Sequence, residues 1–175
     1  MPRRYYRRRS GNRDKYSIEQ TNIVTTPVSS WPAVEVPPAE KTLQNSVQFA
    51  IPIVNPIDAQ GMRKVKHLTI SIANVGSGGE NNTLIYAIVF VPQGYEPQPI
   101  QYPAQGYAVN NYEANQFVMC SGVLDFSAGP CRIRSPLSRN LNSGDRIYLI
   151  LASTPMSSSS APTFTAQVQY AITLQ

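Results

Sequence analysis

Apolar and polar side chains alternate with a period of two residues along much of the chain. In residues 62–74, MRKVKHLTISIAN, every second residue from Leu68 to Ile72 is apolar, and polar side chains lie between. Residues 164–174, FTAQVQYAITL, alternate in the same way from Phe164 to Ile172. Successive side chains of a strand point to opposite faces, so both segments are predicted to be strands with one buried face.

Two other segments are apolar on both faces. Residues 83–91, TLIYAIVFV, and residues 146–153, RIYLILAS, are rich in β-branched and aromatic side chains and are too short for a typical helix. They are predicted to be central strands buried on both sides. Four more segments complete a set of eight predicted strands: residues 16–28, 43–54, 115–124 and 131–137. No segment keeps a 3.6-residue period beyond about two turns, so the chain is predicted to be all-β.

The connections between the predicted strands are uneven in length. Turn-forming stretches such as NVGSGGENN, DFSAGP and NLNSGD stand beside much longer ones. An up-and-down barrel usually has tight, even hairpins, so these connections favour a sandwich of two sheets. We expect residues 16–175 to form a single eight-stranded antiparallel jelly-roll sandwich.

One long connection has the composition of a subunit interface. Residues 92–114 are nearly uncharged and hold Tyr95, Tyr102, Tyr107 and Tyr112. Long connections without secondary structure are usually disordered or functional, and interfaces are enriched in aromatic residues and depleted in Lys, Glu and Asp. Charged residues make up 14% of the whole chain, against roughly 25% in an average soluble protein. Both features predict that other copies of the chain or other partners cover much of the surface.

A proline-rich connection, residues 29–41, contains Trp31, the only tryptophan. Proline excludes this segment from helices and central strands. Trp31 is predicted to lie at a subunit interface, and an anchoring role within its own loop is the alternative.

Positive charge is concentrated at the N-terminus. Residues 1–15, MPRRYYRRRSGNRDK, contain seven basic residues and one acidic residue, a net charge of +6, while the whole chain carries +5. The remaining residues are therefore close to neutral, with a net charge of −1. The basic residues of this arm are Arg3, Arg4, Arg7, Arg8, Arg9, Arg13 and Lys15. Like charges repel and little apolar surface offsets the ordering entropy, so the isolated arm is predicted to be disordered and to bind a polyanion.

The side chains of the arm favour single-stranded nucleic acid. Arginine donates a planar fork of hydrogen bonds to phosphate, and Tyr5 and Tyr6 offer faces on which unpaired bases stack. A nuclear import signal has a similar composition and is compatible with this function. Arg132, Arg134 and Arg139 lie close together in the sequence and are predicted to form a second basic patch beneath the arm. Arg132 and Arg134, two residues apart on one predicted strand, share a face. Salt bridges between subunits are the alternative role for these arginines.

Catalytic and metal-binding sites lack the residues that they need. His67 is the only histidine, so neither a catalytic triad nor a cupin-type metal site is expected. Cys120 and Cys131 lack the CxxC spacing of a zinc site; they could pair across a hairpin, but reduced thiols are favoured. No apolar run reaches the ~18 residues of a membrane span, and no hydrophobic segment follows the charged start. We therefore expect no enzymatic activity, cofactor, metal, signal peptide or membrane insertion.

The arginine- and tyrosine-rich start, joined to an eight-stranded sandwich poor in charge, resembles the coat proteins of small circular single-stranded DNA viruses, the circovirus-like group. Residues 121–151, SGVLDFSAGPCRIRSPLSRNLNSGDRIYLIL, are similar to the later part of such proteins, where a glycine turn, a short strand and an N-S-G-D turn lead into a hydrophobic strand. The arm is shorter than is common among circoviruses proper.

The resemblance implies a capsid protein that self-assembles into the smallest icosahedral shell (T=1), of about sixty copies, with the arms on a single-stranded DNA genome. It also implies location in the virion and in the host nucleus during assembly, with host import machinery and a host attachment factor as further partners. Two alternatives stay open: the coat protein of a small single-stranded RNA satellite virus, and a non-viral β-sandwich binding module with a basic tail. A hydrolase is disfavoured because only one histidine is present.

Overall fold

The computed structural model of the chain describes residues 17–25, 48–56, 61–75, 83–100, 113–153 and 164–174. For residues 17–25 it describes the backbone alone. The predicted arm, residues 1–15, and the proline-rich connection, residues 29–41, lie outside the described residues.

Nine β-strands and no helix occur in the described residues. They are β1 (Ser17–Thr25), β2 (Gln48–Val54), β3 (Arg63–Asn74), β4 (Thr83–Val91), β5 (Phe117–Asp125), β6 (Cys131–Ser135), β7 (Arg139–Leu141), β8 (Arg146–Ser153) and β9 (Phe164–Leu174). The eight strands that the sequence predicts are all present, which confirms that the described part of the chain is all-β. The additional strand, β7, was not predicted, because three residues are too few to show an alternating pattern.

The strands form two antiparallel sheets. The five-stranded sheet has the order β1-β9-β3-β6. Its fifth strand, β7, lies on the same side of β3 as β6: β7 pairs with residues 63–65 of β3, and β6 pairs with residues 68–72. The four-stranded sheet has the order β2-β8-β4-β5. Every connection joins the two sheets except those from β4 to β5 and from β6 to β7.

The core lies between the two sheets. Phe49 of β2 packs edge-on against Phe164 of β9, with ring centroids 5.3 Å apart and an interplanar angle of 88°. Phe126, between β5 and β6, also packs on Phe164, with ring centroids 5.7 Å apart. Along β9 the alternate residues from Phe164 to Ile172 are buried, as predicted, because these side chains face the opposite sheet.

The two central strands of the four-stranded sheet are buried on both faces, as their sequences predict. Residues 87–91 of β4 and 147–152 of β8 are all buried. On the outer face, Val89, Tyr148 and Ile150 form a second apolar cluster with Ile100, whose side chain is only 1% exposed. The start of the long connection after β4 therefore folds back over this sheet.

A β-bulge interrupts β3. Lys66 pairs with Ala171 and Thr69 pairs with Gln169, so two β3 residues stand opposite one residue of β9. His67, at the bulge, has φ +54°, which is uncommon for a residue other than glycine. After the bulge the predicted faces are confirmed, with Leu68, Ile70 and Ile72 buried. Before it the alternation is shifted by one residue, so that Arg63 and Val65 are buried.

Both cysteines are free thiols, one in each sheet. The Cys120 sulfur lies 3.9 Å from the Tyr86 hydroxyl, and the Cys131 sulfur lies 3.1 Å from the carbonyl oxygen of Asp125. Burial of the phenol and its contact with Cys120 raise the pKa of Tyr86. The sequence left open whether the two cysteines form a disulfide or remain reduced, and in this structure they are reduced.

Candidate nucleic-acid interface

The outer face of the five-stranded sheet carries two arginines on its edge strand. In β6, Arg132 and Arg134 are exposed, and Ile133 between them is buried in the core. Both arginines therefore point from one face of the strand, as their spacing predicts. Within the described residues neither guanidinium has an ion-pair or hydrogen-bond partner. Their role in binding nucleic acid stays a prediction.

Polar side chains surround these arginines on the neighbouring strands. The register forms two rows: Arg132, Ser71 and Gln167 in one, and Arg134, Thr69 and Gln169 in the other. Residues paired across strands have Cβ atoms about 5 Å apart, so each row is a continuous polar strip. Guanidinium, hydroxyl and amide groups are the ones that proteins use to contact phosphates, sugars and base edges.

Two lysines extend this face along β3. Lys64 pairs with Asn140 of β7, and Lys66 lies two residues further on. Both lysines point outward because the bulge at His67 shifts the alternation of β3. Without the extra residue in the strand, Lys64 and Lys66 would point toward the core. The bulge therefore adds two cations to the face that carries the arginines.

The described side chains of this face carry a positive charge. Strands β3, β6, β7 and β9 contain no acidic residue, and the one acidic residue of the sheet is Glu19 of β1, of which the backbone alone is described. We call the outer surface formed by Lys64, Lys66, Arg132 and Arg134 the cationic face. A surface with one sign of charge attracts a polyanion and releases its counterions on binding.

Arg139 does not join the cationic face, although it lies close to Arg132 and Arg134 in the sequence. In β7 it pairs with Val65, which points inward. Its guanidinium carbon lies 4.2 Å from the ring centroid of Phe90 and 5.3 Å from that of Phe117. The β6–β7 connection thus separates the three arginines onto two sides of the sheet.

Of the residues predicted at subunit interfaces, only Tyr95 is described. It is 48% exposed and follows a tight turn in which its N–H donates to the carbonyl oxygen of Pro92, at 3.3 Å. Gly94 in this turn has φ +85°, a conformation that favours glycine. The other predicted interface residues, Trp31, Tyr102, Tyr107 and Tyr112, lie outside the described residues, as do all the arm residues.

Two glutamines hold the connection after β4 in place, and the sequence analysis did not single them out. The Gln48 side chain donates to the carbonyl oxygen of Ile100 at 2.6 Å and accepts from its N–H at 3.0 Å. Gln116 binds the backbone of Gln98 in the same two ways, at 3.2 and 2.8 Å. A side-chain amide can replace a strand neighbour in this way, but no sequence pattern distinguishes such a glutamine from an exposed one.

Two further features of the described part of the chain concern metal-binding residues and membrane-spanning helices. No group of three or more His, Cys, Asp or Glu residues there could hold a metal ion. His67 is exposed at the bulge of β3. Among the same residues, no helix is long and apolar enough to cross a membrane.

No family model matches the chain, and no curated protein is significantly similar to it.

Proposed function

We propose that this protein is the coat protein of a small virus with a circular single-stranded DNA genome, similar to the circovirus-like group. About sixty copies assemble into the smallest icosahedral shell (T=1), closed by contacts around its symmetry axes. The arm, residues 1–15, binds the genome inside the shell, and assembly takes place in the host nucleus.

The order of the strands carries this proposal. Eight strands in two sheets, of order β1-β9-β3-β6 and β2-β8-β4-β5, correspond to two interlocked Greek keys. We interpret this arrangement as a jelly roll, an architecture of viral capsid and lectin domains. In this assignment β6 and β7 together take the place of one strand, because they pair with successive parts of β3.

The distribution of charge supports the proposed cargo. The arm, with its net charge of +6, leads into β1, which belongs to the sheet that carries the cationic face. In the proposed function, arm and face together supply cations for sequence-independent contacts with phosphates.

No described strand pairs with the outer edge of β5, and the composition of this edge supports self-association. Strand β5 has no charged residue before Asp125, and it exposes Phe117, Val118 and Val123 by 48%, 45% and 64%. Monomeric proteins usually protect an edge strand with lysine, proline or a covering segment. Beside this edge, on the outer face, lies a largely apolar groove of about 580 Å³. We propose that a second copy of the chain covers this groove, because an uncharged apolar surface suits contact between identical subunits.

Deletion of residues 2–15 tests the proposed cargo. The deleted protein should keep its circular dichroism spectrum and lose most of its nuclease-protected nucleic acid, because the arm supplies the charge that offsets the genome. Two full-length controls sharpen the test: changing the arm arginines to lysine should preserve uptake, and changing them to glutamine should abolish it. A deleted protein that protects as much nucleic acid as the intact one would refute the role of the arm. Preferential protection of RNA would favour the satellite-virus alternative.

A further inference from the structure

A polar cavity lies where β7 meets the end of β4. It has a volume of about 400 Å³ and is lined by Lys64 and Arg139, by Ser138, Asn140 and Asn142, and by the ring of Phe90. Strand β7 lies at the edge of its sheet, and Lys64 lines the cavity from the outer face while Arg139 lines it from the inner face. The cavity therefore adjoins the cationic face, to which Lys64 also belongs. Its other cation, Arg139, lies apart from that face and has no role in the function proposed above.

Arg139 is held in a defined orientation by aromatic rings. Its guanidinium lies over Phe90 at 4.2 Å and near Phe117 at 5.3 Å. Contact with a ring face leaves the N–H groups, which lie in the guanidinium plane, able to donate hydrogen bonds. Among the described residues none of these groups has an acceptor. An oriented planar fork of donors is the geometry that binds a phosphate through two hydrogen bonds.

The one carboxylate at the cavity does not neutralise these cations. Asp145 is 5% exposed, and both of its oxygens accept backbone hydrogen bonds. Oδ1 accepts from the N–H of Gln93 at 3.1 Å, and Oδ2 accepts from the N–H of Asn142 at 2.8 Å. No salt bridge joins Asp145 to Lys64 or Arg139. Two cations and one carboxylate that is fully engaged with the backbone leave the cavity with a net positive charge.

We propose that this cavity binds a phosphate group. Arg139 provides the two-pronged contact, Lys64 provides the second charge, and the Ser138 hydroxyl and the amide groups of Asn140 and Asn142 provide further donors. The source of the phosphate follows from the proposed function: a single strand on the cationic face passes Lys64 and places one backbone phosphate in the cavity. Free phosphate has the same chemistry and is the other source.

The first test uses inorganic phosphate and full-length protein freed of nucleic acid. Phosphate should raise the unfolding temperature more than chloride does at equal ionic strength, because it binds the folded state alone. Arg139→Gln should weaken this phosphate effect about tenfold, measured as the concentration needed for half of the shift. Lys64→Gln should weaken it too, and because Lys64 lies on the sheet surface this variant keeps its fold. Arg146→Gln, a basic residue outside the cavity, should bind phosphate as the unmodified protein does.

A phosphate effect no larger than that of chloride, or one unchanged in both cavity variants, would overturn the proposal. A second titration, with a short oligothymidylate, distinguishes the sources. Weaker binding by Arg139→Gln identifies the backbone of a nucleic acid, whereas unchanged binding with the phosphate effect lost identifies free phosphate. If the protein binds phosphate at this cavity but forms no shell, the phosphate site is supported and the coat-protein function is refuted. The two proposals can therefore fail separately.

Discussion

A Cβ atom placed on Gly144 would lie 2.5 Å from the Cγ of Gln93. Gly144, with φ +81°, belongs to the turn between β7 and β8, and Gln93 belongs to the turn after β4. Asp145 joins the same two turns, since its carboxylate accepts from the N–H groups of Gln93 and Asn142. The N-S-G-D sequence therefore has glycine at this position for two reasons. The backbone has a positive φ, and the Gln93 side chain leaves no room for a Cβ atom.

Gly144→Ala should lower the free energy of unfolding more than Gly94→Ala does. Both glycines have φ near +80°, which costs an alanine about 1 kcal/mol, but nothing lies within 4 Å of a Cβ at Gly94. The clash with Gln93 should bring the total loss at Gly144 to about 2–3 kcal/mol. Urea unfolding followed by circular dichroism measures both losses, and equal losses would show that the contact with Gln93 has no cost.

Gln48→Ala should destabilise the fold by about 1–3 kcal/mol, because the N–H and carbonyl groups of Ile100 lose their partners in a buried position. Gln98→Ala is the matched control, since the Gln98 side chain is exposed and donates one long hydrogen bond, at 3.4 Å. Its effect should stay within about 0.5 kcal/mol. Urea unfolding gives both values, and hydrogen exchange at the Ile100 amide should be faster in Gln48→Ala alone. Equal effects of the two changes would argue against the proposed role of Gln48.

Replacing Arg132 and Arg134 together by glutamine should weaken oligothymidylate binding and reduce its salt dependence. If each arginine contacts one phosphate, the slope of log K against log salt falls by about 1.4 for single-stranded DNA. Stability should stay within about 0.5 kcal/mol, because both side chains are exposed and lack partners among the described residues. Arg146→Gln, which removes an ion pair with Glu96, is the control and should leave the slope unchanged. A double variant with an unchanged slope would remove these arginines from the interface.

Two hydrogen bonds from Ser127 lower the pKa of Asp125. The Ser127 hydroxyl and backbone N–H donate to the same carboxylate oxygen, at 2.6 and 2.9 Å, and favour its charged form. Because the pKa is lower in the folded state, this contribution to stability is present above the unfolded pKa and is lost as the pH falls through the folded one. An NMR titration should show that Ser127→Ala raises the midpoint of Asp125. Ser121→Ala is the control, and a midpoint equally unchanged in both variants would contradict this assignment.

The regular parts of the fold follow from the hydrophobic pattern. The bounds of β4, β8 and β9 agree with the predicted segments to the residue, because long apolar or alternating runs reflect burial directly. Which residues of β3 before the bulge face the core could not be predicted in the same way. A bulge is an extra residue opposite the partner strand, and only pairing with β9 reveals that His67 is the residue accommodated there.

The candidate site was predictable only in part. Arg132 and Arg134 share a face because their spacing equals the period of a strand. Arg139 is five residues further on, yet it packs on Phe90, since the chain turns between β6 and β7. Lys64 joins the cationic face through the bulge, and the cavity that it shares with Arg139 depends on contacts between distant parts of the chain. Residue type therefore indicated the charge, while tertiary contacts determine where each charge lies.

The central claim is that this chain builds a closed shell around nucleic acid. Negative-stain electron microscopy of the purified full-length protein, with its absorbance ratio at 260 and 280 nm, tests this claim most directly. The account predicts uniform closed shells and a ratio well above that of protein alone. A small soluble species with a protein-like ratio, across a range of salt and pH, would contradict it and favour a β-sandwich binding module with a basic tail.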